Sequence, residues 1–138
     1  MYYYFIILFL GEDMGVIKEK ILLIGEKSDE IVDTLFDSGA TFSFIRKDLA
    51  INLGNITKTR ISRSFGTAEN GRVIVIDEKI NLDFVLDNET LSEEFFVSDQ
   101  LSYDAIIGAY TMQKYRMKLD FENDNVIVDH DIAGLLLI

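Results

Sequence analysis

Residues 32–45 read Val-Asp-Thr-Leu-Phe-Asp-Ser-Gly-Ala-Thr-Phe-Ser-Phe-Ile, and the chemistry they offer is that of a carboxylate. Asp37 follows the bulky apolar pair Leu35 and Phe36, the mark of a strand packed on both faces that delivers an acid to the edge of a core. Gly39 then permits a tight turn whose backbone amides can point back at the carboxylate. Such an arrangement holds a partly buried acid ready for proton transfer. The same three residues also describe an Asx turn at a strand end, in which Asp37 bonds its own backbone and nothing else.

The rest of the composition narrows the chemistry. There is no cysteine in the 138 residues, so a disulfide framework, a thiolate nucleophile and a zinc knuckle are all excluded. His130 is the single histidine and sits in Asp-His-Asp, where a solvated residue in an acidic tail is expected. Any Ser-His-Asp triad would depend on it, and a histidine-rich metal site cannot be built. No metal and no cofactor is expected. With 24 acidic against 13 basic residues the net charge is −11, which repels nucleic acid and anionic membrane surfaces.

The elements that must position Asp37 are mostly short strands. Residues 20–25 and 30–36 flank a polar Glu-Lys-Ser-Asp turn and form a hairpin. Residues 63–76 carry Asn70-Gly71, a strong signal for a two-residue hairpin, followed by apolar alternation. In residues 79–86 the period of two places Ile80, Leu82, Phe84 and Leu86 on one face, and residues 93–98 make a further strand. Within 105–121, Ile106 and Ile107 end at Gly108, after which Tyr110, Lys114 and Met117 fall at helical spacing and predict one short helix of two turns. A last hairpin turns around Glu122 to Asn125. Many short strands with one short C-terminal helix predict an all-β fold, a small closed β-barrel in a single domain.

Several of these stretches together resemble a known family. Asp37-Ser38-Gly39-Ala40 after an apolar pair, followed by Thr41-Phe42-Ser43-Phe44-Ile45, is similar to the active-site loop of the retropepsin-like aspartic proteases, above all those of retrotransposons. Leu53-Gly54 follows downstream, then Thr67-Ala68-Glu69-Asn70-Gly71 where the family has its flap hairpin. Tyr103-Asp104-Ala105-Ile106-Ile107-Gly108 stands where the family has two apolar residues and a glycine. Leu119-Asp120-Phe121 and Val126 match the closing hairpin. The resemblance covers about residues 20 to 129, and two separated motifs in the right order are far more specific than either alone. The chain departs from the retrotransposon pattern in having Ala109-Tyr110 where an acidic residue usually stands two positions after the glycine, and Phe42 where histidine is common. These departures bear on substrate specificity and loop bracing; Asp37, Ser38 and Gly39 are intact.

The resemblance implies a retropepsin-type barrel and an aspartic endopeptidase with Asp37, Ser38 and Gly39 as its catalytic group. Aspartic proteolysis needs two carboxylates and only one Asp-Ser-Gly is present, so it implies a homodimer with a two-fold axis between two copies of Asp37. Its substrate would be an extended peptide, bound by Ala40, Thr41, Phe42, Phe65, Gly66, Thr67, Ala68 and Ile107 beneath a flap at 66–72. A second reading is a retropepsin-like module that binds peptides or dimerises without turnover. A third is an unrelated barrel in which Asp37 is an exposed turn residue.

The apolar ends frame a domain expected over residues 14–130. Residues 1–13 are an apolar N-terminal extension, and 131–138 an apolar tail expected as a strand, either at a dimer interface or covering its own barrel. Residues 1–10 lack a basic flank and a cleavage site and are shorter than the ~20 residues of a spanning helix, so they read as a buried strand. Met14 as the true start is the alternative. A cytoplasmic protein is expected, with membrane association through residues 1–10 as the second possibility.

Overall fold

The structure is a computed structural model that describes residues 3–6, 16–67 and 72–136. Its strands are β1 (Tyr3–Ile6), β2 (Val16–Ile24), β3 (Asp29–Asp37), β4 (Phe44–Arg46), β5 (Thr57–Thr67), β6 (Val73–Leu86), β7 (Glu89–Ser98), β8 (Ala105–Ile107), β9 (Lys118–Asp120) and β10 (Asn125–Ile127). Three short helices interrupt them: α1 (Lys47–Leu53), α2 (Ala109–Lys114) and α3 (His130–Leu136).

The barrel closes through six strands. The order runs β6, β2, β3, β8, β4, β7, and β7 returns to pair with β6. Closure leaves none of the six with two free edges, which is how a small β protein avoids pairing with its neighbours. β5 lies outside the ring on the first half of β6, and β1 is added in parallel to β5. The hairpin expected at 20–36 is β2–β3, in register from Val16↔Asp37 to Ile24↔Asp29. The hairpin expected around Asn70-Gly71 is β5–β6, with Gly66↔Val73 as the last pair; Ala68 and the turn itself lie outside the described residues.

Two apolar clusters fill the fold, and β6 passes from one to the other. Ile74 and Ile76 belong to a cluster with Leu35, Phe44, Phe65, Phe96 and Ile106, whereas Ile80, Leu82, Phe84 and Leu86 face the larger one around Phe36, Ile45, Phe95 and Ile107. The alternation keeps its phase but is interrupted between them, where Asp77, Glu78 and Lys79 are only half-buried. Each fully buried Phe contributes roughly 1.5–3 kcal/mol through the apolar area it removes from water.

The helices correct two expectations. Alongside α2, α1 was not expected; its signal was Leu49, Ala50 and Leu53, the residues it buries at helical spacing. The tail expected as a strand is instead α3. Asp129 is the cause: its side chain accepts the Ile132 N–H at 3.1 Å and its carbonyl the Ala133 N–H at 3.0 Å, a helix N-cap that starts the turn and carries Ala133 into the core. His130 is exposed, as expected, with Nδ1 2.7 Å from Glu89 Oε1 and Nε2 3.4 Å from Asp87 Oδ2. Its hydrogen bond to Glu89, and then the surrounding carboxylates, raise its pKa.

At the far end of α2, Arg116 adopts φ 49° in place of the usual glycine, so that Met117 N–H reaches the Met112 carbonyl at 2.8 Å and Arg116 N–H the Gln113 carbonyl at 3.2 Å. With that left-handed stop the helix ends at Lys114 after six residues, and Met117 lies beyond it.

Candidate active site

β3 delivers Asp37 as the residue pattern requires. From Thr34 onward every residue of the strand is buried, Leu35 in one apolar cluster and Phe36 in the other, so the strand is packed on both faces. β8 lies parallel on one side, pairing Phe36 with Ile107, and β2 antiparallel on the other, pairing Asp37 with Val16. Asp37 is 0% exposed.

Its two carboxylate oxygens have different surroundings. Oδ1 accepts the Gly39 N–H at 2.8 Å, and the Asp37 carbonyl accepts the Ala40 N–H at 3.1 Å, so the loop folds back on the acid. Oδ2 is buried and has no hydrogen-bond partner within the described chain. Burial pushes the Asp37 carboxyl above the usual aspartate range, opposed in part by the Gly39 and Ala40 amides. A buried carboxylate oxygen without a hydrogen-bond partner costs free energy.

The loop after Asp37 is fastened along its length to the segment after β8. Ala109 N–H donates to the Ala40 carbonyl at 2.6 Å and Tyr110 N–H to the Thr41 carbonyl at 3.1 Å. Ser43 Oγ accepts the Gly108 N–H at 3.1 Å and shares a hydrogen bond of 2.6 Å with the Thr111 hydroxyl. Gly108 is required by proximity alone: its φ of −99° suits any residue, but a Cβ there would lie 2.2 Å from the Phe42 carbonyl oxygen. Farther back, Asp104, just before β8, ties β3 to β4, accepting Asp33 N–H at 3.3 Å and Arg46 Nη1 at 2.7 Å while its carbonyl accepts Arg46 N–H at 2.9 Å.

The residues expected at a substrate site divide into two groups. Ala40, Thr41 and Phe42 line the loop beside Asp37, and Phe42 is half-buried between Phe65, Phe96 and Tyr110, its ring edge-on to each at centroid distances of 6.0, 5.4 and 5.1 Å. Phe65 on β5 and Ile107 on β8 have no exposed surface in the single chain and are packed in the two apolar clusters. Gly66 is buried at the end of β5, the backbone of Thr67 completes that strand, and Ala68 lies outside the described residues. A cleft of about 220 Å³ opens beside Phe42, lined also by Ser43, Arg63, Phe96, Tyr110 and Thr111. Ser43 and Thr111 were not found from the sequence, because two hydroxyls 68 positions apart have no local pattern. A cavity of about 500 Å³ between Gly25, Asp83, Glu93 and Lys114 includes none of the Asp37 loop.

Residues 6–125 match the Ty3 transposon peptidase family. The chain belongs to that family. Among solved structures it is similar in fold to the retroviral protease-like domain of Ddi1 from Leishmania major, at 18% identity and a TM-score of 0.60, with 82% of this chain and 89% of that one covered. It is also similar to the EIAV protease complexed with the inhibitor HBY-793, at 16% identity and a TM-score of 0.51, with 81% and 96% covered. No curated protein matches in sequence. The fold of this Ty3-type chain is therefore retropepsin-like, and its Asp-Ser-Gly loop stands at the junction of β3 and β8. No helix among the described residues is long and apolar enough to cross a membrane.

Proposed function

We propose that this chain is an aspartic endopeptidase that acts as a homodimer, with one Asp37 from each subunit forming the catalytic pair. The carrying observation is Asp37 itself: fully buried, one oxygen held by Gly39 and the other without a partner in its own chain. A second carboxylate across a two-fold axis meets that oxygen. Two such groups about 3 Å apart cannot both ionise and share one proton. The raised pKa of Asp37 supports this, because it favours the protonated form from which the shared state is built.

In that pair the ionised carboxylate takes a proton from water as the oxygen attacks the peptide carbonyl carbon, while the protonated partner donates its proton to the carbonyl oxygen. The tetrahedral intermediate then collapses: the C–N bond breaks, the amine leaves with a proton from the dyad, and the second product is a carboxylic acid. Ser38 braces the two loops across the axis, and Gly39 offers backbone to the peptide. Ala40, Thr41 and Phe42 border the peptide on the loop side, Gly66, Thr67 and Ala68 on the flap side, with Phe65 and Ile107 supporting them from behind. The peptide binds as an added strand. No cofactor takes part, and nucleic acid is not a partner.

A peptide-binding module without turnover is the second reading. It is favoured by Tyr110, which is 57% exposed and packs on Phe42 where relatives of the retrotransposon type usually carry an acid. Cleavage of a diverse peptide library from about pH 4 to 7, with sedimentation of the same samples, separates the two. Wild type that dimerises and cleaves while Asp37→Asn does not supports the endopeptidase; a dimeric wild type that leaves the library intact supports the binding module.

A further inference from the structure

The hairpin that leads into the flap has two outer edges, and one of them already carries a strand. β5 pairs with β6 along its inner edge, while its outer edge at Ser64–Thr67 pairs in parallel with Tyr3–Ile6, in register from Tyr3↔Ser64 to Ile6↔Thr67. Among the described residues nothing pairs with the rest of that edge, from Thr57 to Arg63. The β1-paired stretch of β5 lies against the loop after Asp37, since its Phe65 meets the ring of Phe42, five residues beyond Asp37. A peptide lying across a two-fold axis between two such flaps must run parallel to one β5 and antiparallel to the other. The backbone pairing that β1 makes is thus one half of what such a peptide needs.

We propose that Tyr3–Ile6 occupies in cis the edge at which this chain takes its extended peptide, so that the N-terminal segment is an internal competitor for the site. The proposal rests on the peptide-cleaving reading above and adds to it a ligand chemistry: an uncharged, extended segment rich in aromatic and β-branched residues, like Tyr-Tyr-Tyr-Phe-Ile-Ile at positions 2–7. Such residues favour the extended backbone the edge requires. A competitor tethered in cis acts at high effective concentration, so the free edge is a minor state and the apparent affinity for outside peptide falls by that fraction.

Because the chain has no cysteine, Tyr3→Cys with Ser64→Cys creates a single reversible lock between β1 and β5. The chain of residues 1–138 carrying this pair is prepared on an Asp37→Asn background, so that binding is read without turnover. The probe is a fluorescent peptide of the sequence at positions 2–7 with a lysine tail for solubility, and its control is the same peptide with prolines at alternate positions. The expected result is a disulfide that forms under mild oxidation and weakens probe binding by about tenfold relative to the same protein reduced. In the same background Phe5→Pro, a residue poorly tolerated inside a strand, strengthens binding by about threefold. Failure of the disulfide to form, or equal binding by oxidised and reduced protein, overturns the proposal; because the lock is reversible in one sample, this holds even if Phe5→Pro fails to fold. Probe binding that follows the lock, in a wild type that cleaves nothing, removes the endopeptidase reading and leaves the docking edge standing.

Discussion

Gly108 packs its Cα against the carbonyl of Phe42, so closely that a Cβ would sit 2.2 Å from that oxygen and 2.9 Å from the carbonyl of Ala40. The loop after Asp37 and the segment after β8 are therefore in backbone contact, and neither can move without the other. Both carbonyls are main chain, with no flexible side chain to give way.

Gly108→Ala is expected to destabilise the fold by about 3 kcal/mol, because relief requires the loop to shift. Gly134→Ala is the control. Nothing lies within 4 Å of a Cβ at Gly134 in α3, so the helix gains about 0.5–1 kcal/mol through the propensity of Ala and a less flexible unfolded chain. Urea unfolding of both variants checks the pair, and a Gly108→Ala protein as stable as wild type would show that the loop is looser than its contacts.

The Ser43 and Thr111 hydroxyls join these same two segments inside the core. Ser43→Ala leaves the Gly108 N–H and the Thr111 hydroxyl buried without that partner and is expected to cost about 1–3 kcal/mol. Ser43→Ala and Thr111→Val combined should cost less than the sum of the singles, with a coupling of about 0.5–3 kcal/mol in a double-mutant cycle. Strict additivity would mean that the two hydroxyls act independently.

Tyr115 reaches from beyond α2 to the β7 backbone. Its hydroxyl donates to the Ser92 carbonyl at 2.7 Å and accepts the Ser92 N–H at 3.0 Å, standing in for a neighbouring strand. Tyr115→Phe keeps the buried ring and strands the Ser92 N–H, while the Ser92 carbonyl retains Lys114 Nζ at 3.3 Å, at an expected cost of about 1–3 kcal/mol. Amide exchange at Ser92 offers a local reading; protection unchanged from wild type would count against the contact.

The raised pKa of Asp37 sets a sign for the pH dependence of stability. Well below the ordinary aspartate range the group is protonated in both folded and unfolded chains. As the pH rises from that range towards the raised folded value, the unfolded chain ionises first, and stability is lost. Asp37→Asn removes this slope, whereas Glu19, also raised by burial, and Asp48 and Asp120, both lowered by hydrogen bonds, titrate in both proteins and cancel. Denaturant midpoints measured from pH 3 to 7 should therefore show the variant gaining on wild type as the pH rises, with parallel profiles the opposing result.

Local patterns carried a large share of this protein. The apolar pair Leu35-Phe36 before Asp37, the alternation from Ile80 to Leu86 and the turn signal at Asn70-Gly71 act within a few residues, and the strands they imply were legible for that reason. The family was legible too, since Asp-Ser-Gly and Ile-Ile-Gly lie in its order, and the retropepsin-like fold they imply is the one the chain adopts. α3 was not, because an apolar run suits strand and helix alike and the Asp129 cap decides between them. Only the tertiary structure settled how Asp37 is held. Its burial, its unpartnered oxygen, the Ser43–Thr111 bond and the addition of β1 to β5 all join residues distant in sequence, and such contacts follow from the closure of the barrel, which no local pattern encodes.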